Sequence, residues 1–220
     1  MSTTLRASVI TLVTLLNAGA LVFASDETVP SVSPDAALAK LKEGNARFSS
    51  SKVSEGKPNG AKREETAKAQ HPFAVILACA DSRTAPELVF DGNIGDLFVV
   101  RTAGNFVDDH ALGSIEYAVE HLGARLVVVL GHERCGAVTA AMAGDTAPGH
   151  VQSLVRDIQP AVKGAKDKPG DALDNAIAEN ARLVAARISK EAELGDHAKE
   201  VRVIPAVYNL DTGKVDWGKE

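Results

Sequence analysis

Three stretches of the chain are almost continuously apolar: 73–78 (Phe-Ala-Val-Ile-Leu-Ala), 97–101 (Leu-Phe-Val-Val-Arg) and 126–130 (Leu-Val-Val-Val-Leu). None alternates with polar residues. Such runs predict strands of a parallel sheet covered on both faces. Between the last two, Leu112, Ile115, Val119 and Leu122 recur at helical spacing, and Gly123 supplies a stop. Upstream, Ser33-Pro34 reads as an N-cap and first helical residue, with Leu38, Leu41 and Phe48 on one face. Residues 49–60 read as a loop, 62–69 as a short charged helix and 86–91 as a short helix in the first crossover. Beyond residue 135 the pattern is mostly helical: 136–142, then 151–162 interrupted at Pro160, a turn over 164–170, and a long helix over 171–193. The last carries Ile177, Ala181, Val184 and Ile188 on one side. Residues 201–208 predict a fourth strand, and Asp211-Thr212-Gly213 a turn pairing it with 215–217. The class predicted is α/β. It is a mostly parallel four-stranded central sheet with flanking helices and a C-terminal edge hairpin.

The first 24 residues fall outside this scheme. Arg6 precedes an apolar segment from Ala7 to Phe23, and Val22-Phe23-Ala24 offers small residues before the polar Ser25-Asp26-Glu27. This reads as a secretory signal peptide over 1–24. An uncleaved membrane anchor is the competing reading. Residues 25–32 would be a flexible leader and 33–220 a single domain. Export predicts a location such as a bacterial periplasm, with no stable membrane insertion after cleavage. With 220 residues, 45% of them hydrophobic, the chain suits one domain with a sizeable core. A net charge of -5 argues against a broad nucleic-acid footprint, and no Gly-rich phosphate loop follows any strand.

Chemistry concentrates at two predicted strand ends. Cys79-Ala80-Asp81-Ser82-Arg83 follows the first run, and His132-Glu133-Arg134-Cys135 the third. Cys79 and Cys135 are the only cysteines. Ligands of open α/β sheets bind beyond the carboxyl ends of strands where the strand order reverses. Two thiolates and an imidazole suit tetrahedral zinc with one position left open. In an exported protein the same two cysteines could instead form a disulfide. Asp81 and Arg83 form either an oriented carboxylate beside the metal or an ordinary surface ion pair. Asp81 could also be a fourth ligand closing the site. Glu133 and Arg134 receive no chemical role. His71, His110, His150 and His197 read as solvated or capping residues.

The segments Cys79-Ala80-Asp81-Ser82-Arg83 and Gly131-His132-Glu133-Arg134-Cys135-Gly136 resemble the CxDSR and HxxC-Gly motifs of the β-class carbonic anhydrases. The similarity runs from Leu41-Lys42-Glu43-Gly44-Asn45-Ala46-Arg47-Phe48 to near Trp217. It implies one zinc ion per chain on Cys79, His132 and Cys135, with Asp81–Arg83 as catalytic dyad. The implied reaction is hydration of CO2 to bicarbonate by hydroxide generated at the zinc. It further implies a plant-like substrate pocket of Gln70, Phe98 and Tyr117, completed across a homodimer that could pair into a tetramer. His121, one turn after Tyr117, resembles a proton-transfer His, or is a C-terminal histidine facing the helix dipole. Another branch of the family carries an inhibitory bicarbonate site with a Trp where this chain has Ile76; Arg101 matches that site's Arg. Without the Trp, no bicarbonate switch is expected, and Asp81 is expected to stay with Arg83. Two readings compete with the enzyme: an exported thiol/disulfide protein, and an inactive zinc-binding interaction domain.

Overall fold

The computed structural model describes residues 31–55, 60–144 and 146–218. The predicted signal peptide and most of the leader lie outside them. Helix α1 (Pro34–Ser49) starts where Ser33 Oγ accepts from the Ala36 N–H at 3.3 Å. The short helix α2 (Gly60–Thr66) follows, somewhat upstream of the charged run that predicted it. Strand β1 (Ala74–Cys79), helix α3 (Pro86–Val89), strand β2 (Leu97–Thr102), helix α4 (Asp109–Leu122) and strand β3 (Leu126–His132) come next. Asp108 caps α4 by accepting from Ala111 N–H at 2.9 Å, and Gly123 ends it at φ +74°. Helices α5 (Gly136–Ala143), α6 (Val151–Ala165) and α7 (Ala172–Glu191) lead to β4 (Arg202–Tyr208) and β5 (Val215–Trp217).

Helix α6 runs through Pro160. A proline there removes one ladder hydrogen bond and crowds the preceding turn. Val155, Ile158, Ala161 and Ala165 are all buried, so packing holds the helix together. Pro160 itself is exposed, where water can serve the unbonded carbonyl.

The five strands lie in the order β2-β1-β3-β4-β5, parallel except for the final β4–β5 pair. The chain leaves β1 for β2 on one side and then crosses to β3 on the other. The strand order therefore reverses between β1 and β3. Alternate residues of the buried strands feed two cores. Val75, Leu77, Val127 and Val129 pack with Ile115 and Val119 of α4 and Val184 and Ile188 of α7. Ile76, Ala78, Val128, Leu130 and Ile204 face the other way, toward Leu38 and Leu41 of α1 and Val89 of α3. A third cluster joins α5, α6 and α7 through Val138, Val155, Ile158 and Ile177, and Cys79 and Cys135 belong to it. No helix among the described residues is long and apolar enough to cross a membrane.

Candidate metal centre

Cys79 is the last residue of β1 and His132 the last of β3. These strands are direct neighbours, with Ala78 in register with Leu130. Both side chains thus emerge at the reversal point. Cys135 follows a tight turn and stands at the N-cap of α5. One donor atom from each of Cys79, His132 and Cys135 lies within 4.8 Å of the others. All three are at least 96% buried, with exposures of 4%, 1% and 1%.

The imidazole is prepared for a metal. His132 Nδ1 lies 2.8 Å from the Glu133 carbonyl, so the proton belongs on Nδ1 and the Nε2 lone pair is free. Nε2 is buried and has no hydrogen-bond partner. A buried polar atom without a partner is uncommon and needs a reason. A cation held with the two sulfurs supplies one. Cys79 Sγ accepts from Asp81 N–H at 3.4 Å and Gly104 N–H at 3.3 Å. The Cys135 S–H holds the Cys79 thiol well below its ordinary range, and the Cys79 thiolate pushes the Cys135 thiol up. A zinc ion is compatible with this donor set, which supplies three protein ligands and leaves a fourth position.

Asp81 borders the cluster without joining it. Its Oδ1 accepts from the Arg83 backbone N–H and Nε, both at 2.9 Å, and its Oδ2 from Nη2 at 2.7 Å. These bonds hold the Asp81 carboxyl well below the usual carboxylate range. Oδ2 is 3.9 Å from His132 Nε2. In this structure Asp81 is therefore turned to Arg83 rather than into the ligand cluster.

Several residues that support the site were not singled out for it in the sequence. Thr84 Oγ1 donates to the Cys79 and Asp81 carbonyls at 3.2 and 2.9 Å. Arg101 donates to the same two carbonyls, from Nε at 2.9 Å and Nη2 at 2.6 Å. It was legible only as a match to a bicarbonate site; here it ties β2 to the Cys79 loop. Gly104 sits at φ +79°, and a Cβ there would lie 2.7 Å from Ile158 Cδ1. Its carbonyl is fixed by Asn180 Nδ2 at 2.8 Å. A glycine just past a strand end was the available signal. Arg134, at φ +52°, adopts a backbone conformation costing a non-glycine residue about 1–2 kcal/mol.

The predicted substrate residues sit elsewhere on the chain. Phe98 is in register with Val75, whereas Cys79 is in register with Thr102. Four residues of strand separate the two levels, about 13 Å. Tyr117 packs on Phe98 at 6.4 Å between ring centroids, and His121 on Tyr117 at 5.2 Å. Tyr117 and His121 are exposed. Gln70, also exposed, lies in the segment just before β1. Gln70, Phe98 and Tyr117 thus gather toward the amino end of the sheet, and Cys79, His132 and Cys135 at its carboxyl end. A cavity of about 560 Å³ beside Phe48, Leu88, Ile94 and Leu97 contains none of these residues.

A family profile described as carbonic anhydrase matches residues 74–215. Carbonic anhydrase 2 of Mycobacterium tuberculosis is 39% identical over 194 residues, covering 84% of this chain and 93% of that protein. The β-carbonic anhydrase CafA of Aspergillus fumigatus superposes with a TM-score of 0.66 at 23% identity, covering 84% of this chain and 90% of that one. A β-carbonic anhydrase of Sordaria macrospora, described as tetrameric, gives a TM-score of 0.64 at 20% identity over 72% of this chain and 89% of its own. The cysteine–histidine–cysteine cluster at the β1–β3 reversal and the relatives across most of the chain agree: the chain belongs to the β-class carbonic anhydrase family.

Proposed function

We propose that the protein catalyses the reversible hydration of CO2 to bicarbonate and a proton. Cys79, His132 and Cys135 would hold one zinc ion per chain. The observation that carries this reading is the orphaned, fully buried His132 Nε2 between two sulfurs, bordered by an Asp81 locked on Arg83. Zinc held there would supply Lewis acidity that lowers the pKa of water toward about 7. Asp81 stays ionised at neutral pH, because Arg83 stabilises its charge. Its orientation is fixed by three donors, so a remaining Oδ2 lone pair can accept a hydrogen bond from water beside His132 and orient it. An ionised Asp81 is a poor proton donor and a good acceptor, as hydration requires.

Gln70, Phe98 and Tyr117 fit a substrate pocket in which the amide donates to a CO2 oxygen and the rings form an apolar wall. Within one chain they are too far from the ligands to do this. A second copy supplies them if two β2 edges meet antiparallel, because the amino end of one sheet then approaches the carboxyl end of the other. Strand β2 is an edge strand with half-buried apolar residues, which a partner would cover. The functional unit is therefore a homodimer, which two edges per sheet allow to pair further into a tetramer. His121, exposed and packed against Tyr117, suits release of the proton to solvent. The signal-like segment 1–24 supports export to a compartment such as a periplasm.

The test is metal analysis together with stopped-flow CO2 hydration. The expected outcome is about one zinc per chain, and a rate that Asp81→Ala lowers by about 10²-fold or more. Protein purified without metal, carrying a Cys79–Cys135 disulfide and inactive after zinc is supplied under reducing conditions, would defeat the reading.

A further inference from the structure

The two residues between His132 and Cys135 reach away from the ligand cluster and grip the turn between β4 and β5. Glu133 accepts from Asn209 Nδ2 at 2.5 Å and from the Leu210 N–H at 3.2 Å. Its own N–H donates to the Tyr208 carbonyl at 3.0 Å. Arg134 forms a two-pronged pair with Asp211, Nη1 to Oδ2 at 2.9 Å and Nη2 to Oδ1 at 2.8 Å.

The turn that receives them is itself braced. Asn209 Oδ1 accepts from Asp211 N–H, Thr212 N–H and Thr212 Oγ1 at 3.1, 2.8 and 2.8 Å. From α1, Asn45 Nδ2 donates to the Gly213 carbonyl at 2.8 Å, and Asn45 Oδ1 accepts from Val215 N–H at 2.9 Å. Asn45 is buried. Asn209 within the turn and Asn45 of α1 thus fix the backbone that presents Asp211.

On the other side, the left-handed backbone of Arg134 points its carbonyl at Arg83. Arg83 Nη2 donates to that carbonyl at 3.4 Å and to Asp81 Oδ2 at 2.7 Å. One line of contacts therefore runs from Asp211 through Arg134 and Arg83 to Asp81.

We propose that Glu133 and Arg134, gripping Asn209 and Asp211, form a clasp that positions the second ligand loop and, through the Arg134 carbonyl, the Arg83 that keeps Asp81 off the metal. The inference rests on the carbonic anhydrase reading. These are positioning residues; none touches metal or substrate. An exposed ion pair contributes little to global stability, and the Arg134 and Asp211 side chains are 51% and 71% exposed. The clasp acts on orientation. Its loss loosens the metal and frees Asp81 while leaving the fold nearly intact.

The test compares wild type, Asp211→Asn and Arg134→Gly as full-length mature protein. Zinc release to a chromogenic chelator is timed, the visible spectrum of the cobalt-substituted protein is recorded, and the thermal midpoint is measured. Arg134→Gly keeps the left-handed backbone accessible while removing the side chain that grips Asp211. Both variants are expected to release zinc about 10-fold faster, as loss of a ligand-orienting partner does. Both should change the cobalt d–d bands as Asp81 gains access to the metal, with a midpoint close to wild type. If wild type holds zinc and hydrates CO2 but the variants match it in release and spectrum, the clasp is wrong and the enzyme reading stands. Wild type that neither retains zinc nor hydrates CO2 overturns both. A charge-exchanged Arg134→Asp/Asp211→Arg protein that recovers slow release would add support from the pairing itself.

Discussion

A mixed dimer tests whether the active site is completed in trans. In one chain, Phe98 lies four register steps before the Cys79 level, about 13 Å along β2. Tyr117 is held on Phe98, so it shares that displacement. A phenyl or phenol side chain cannot span the gap. Consider one subunit carrying Asp81→Ala and the other Phe98→Ala with Tyr117→Ala, each with a different affinity tag. Sequential purification on both tags isolates the heterodimer. The first subunit has an intact aromatic pair but a disabled dyad; the second has the reverse. If the aromatic pair serves the partner's metal centre, one of two sites in the heterodimer is whole. Two-fold symmetry then sets the recovered CO2 hydration at about half the wild-type specific rate. The Asp81→Ala homodimer should remain below about a hundredth, on the scale of a lost acid–base group, and the Phe98→Ala/Tyr117→Ala homodimer well below the heterodimer. Stopped-flow indicator assays resolve that difference, and size-exclusion chromatography checks that every sample is dimeric. If the pocket worked within one chain, neither heterodimer site would be whole. A dimeric heterodimer no more active than the two homodimers would refute the trans arrangement.

Three further outcomes follow from the packing. Glu179 is a buried carboxylate paired with Arg182 and Lys168, which hold its pKa down at about 2. The folded value is below the unfolded one, so the stabilisation is full above about pH 4.5 and disappears as pH falls toward 2. With both cations about half exposed, it amounts to about 2–3 kcal/mol. Urea unfolding of Glu179→Gln should show that deficit at pH 7 and little of it near pH 2.5; equal deficits at both would contradict it. Gly44 of α1 faces the Phe90 backbone with no room for a Cβ. Gly44→Ala should cost about 3 kcal/mol or more by displacing α1, read as a lowered thermal midpoint. Gly104→Ala meets both a positive φ and Ile158, and should lose about 2–3 kcal/mol. Because the Gly104 N–H also donates to Cys79 Sγ, zinc retention should fall in the same variant, whereas Gly44→Ala should leave it nearly unchanged.

What could be read in advance depended on whether the information was local. The strands were legible because 73–78, 97–101 and 126–130 are buried on both faces, and a continuous apolar run records that directly. The cysteine–histidine–cysteine cluster was legible because those residue types at strand ends suit zinc. The supports were not. Thr84 and Arg101 act through the Cys79 and Asp81 carbonyls, and Gly104 through its own N–H to the Cys79 sulfur, contacts that leave no periodic trace. Pro160 misled because its local cost is outweighed by a buried stripe that only the tertiary structure supplies. Glu133 and Arg134 looked like filler between ligands because their partners lie in a turn 76 and 77 residues away.

The strand order explains why a three-residue metal cluster is built from segments so far apart. Cys79 and His132 become neighbours only because the chain visits β2 before returning to β3, setting two strand ends side by side at the reversal. The same step leaves β2 at the sheet edge and carries Phe98 with it. A single topological choice therefore gathers Cys79, His132 and Cys135 at the carboxyl end and leaves the Phe98–Tyr117 pair toward the amino end. The proposed antiparallel partner on the β2 edge would answer both consequences at once, covering the apolar edge and bringing each aromatic pair to the other chain's cluster. On this argument, a β2-edge substitution that blocks dimerisation while preserving the fold, such as Val99→Lys on this half-buried strand, should retain zinc and lose hydration activity. A monomer of that variant with wild-type activity would break the link between the strand order and the chemistry.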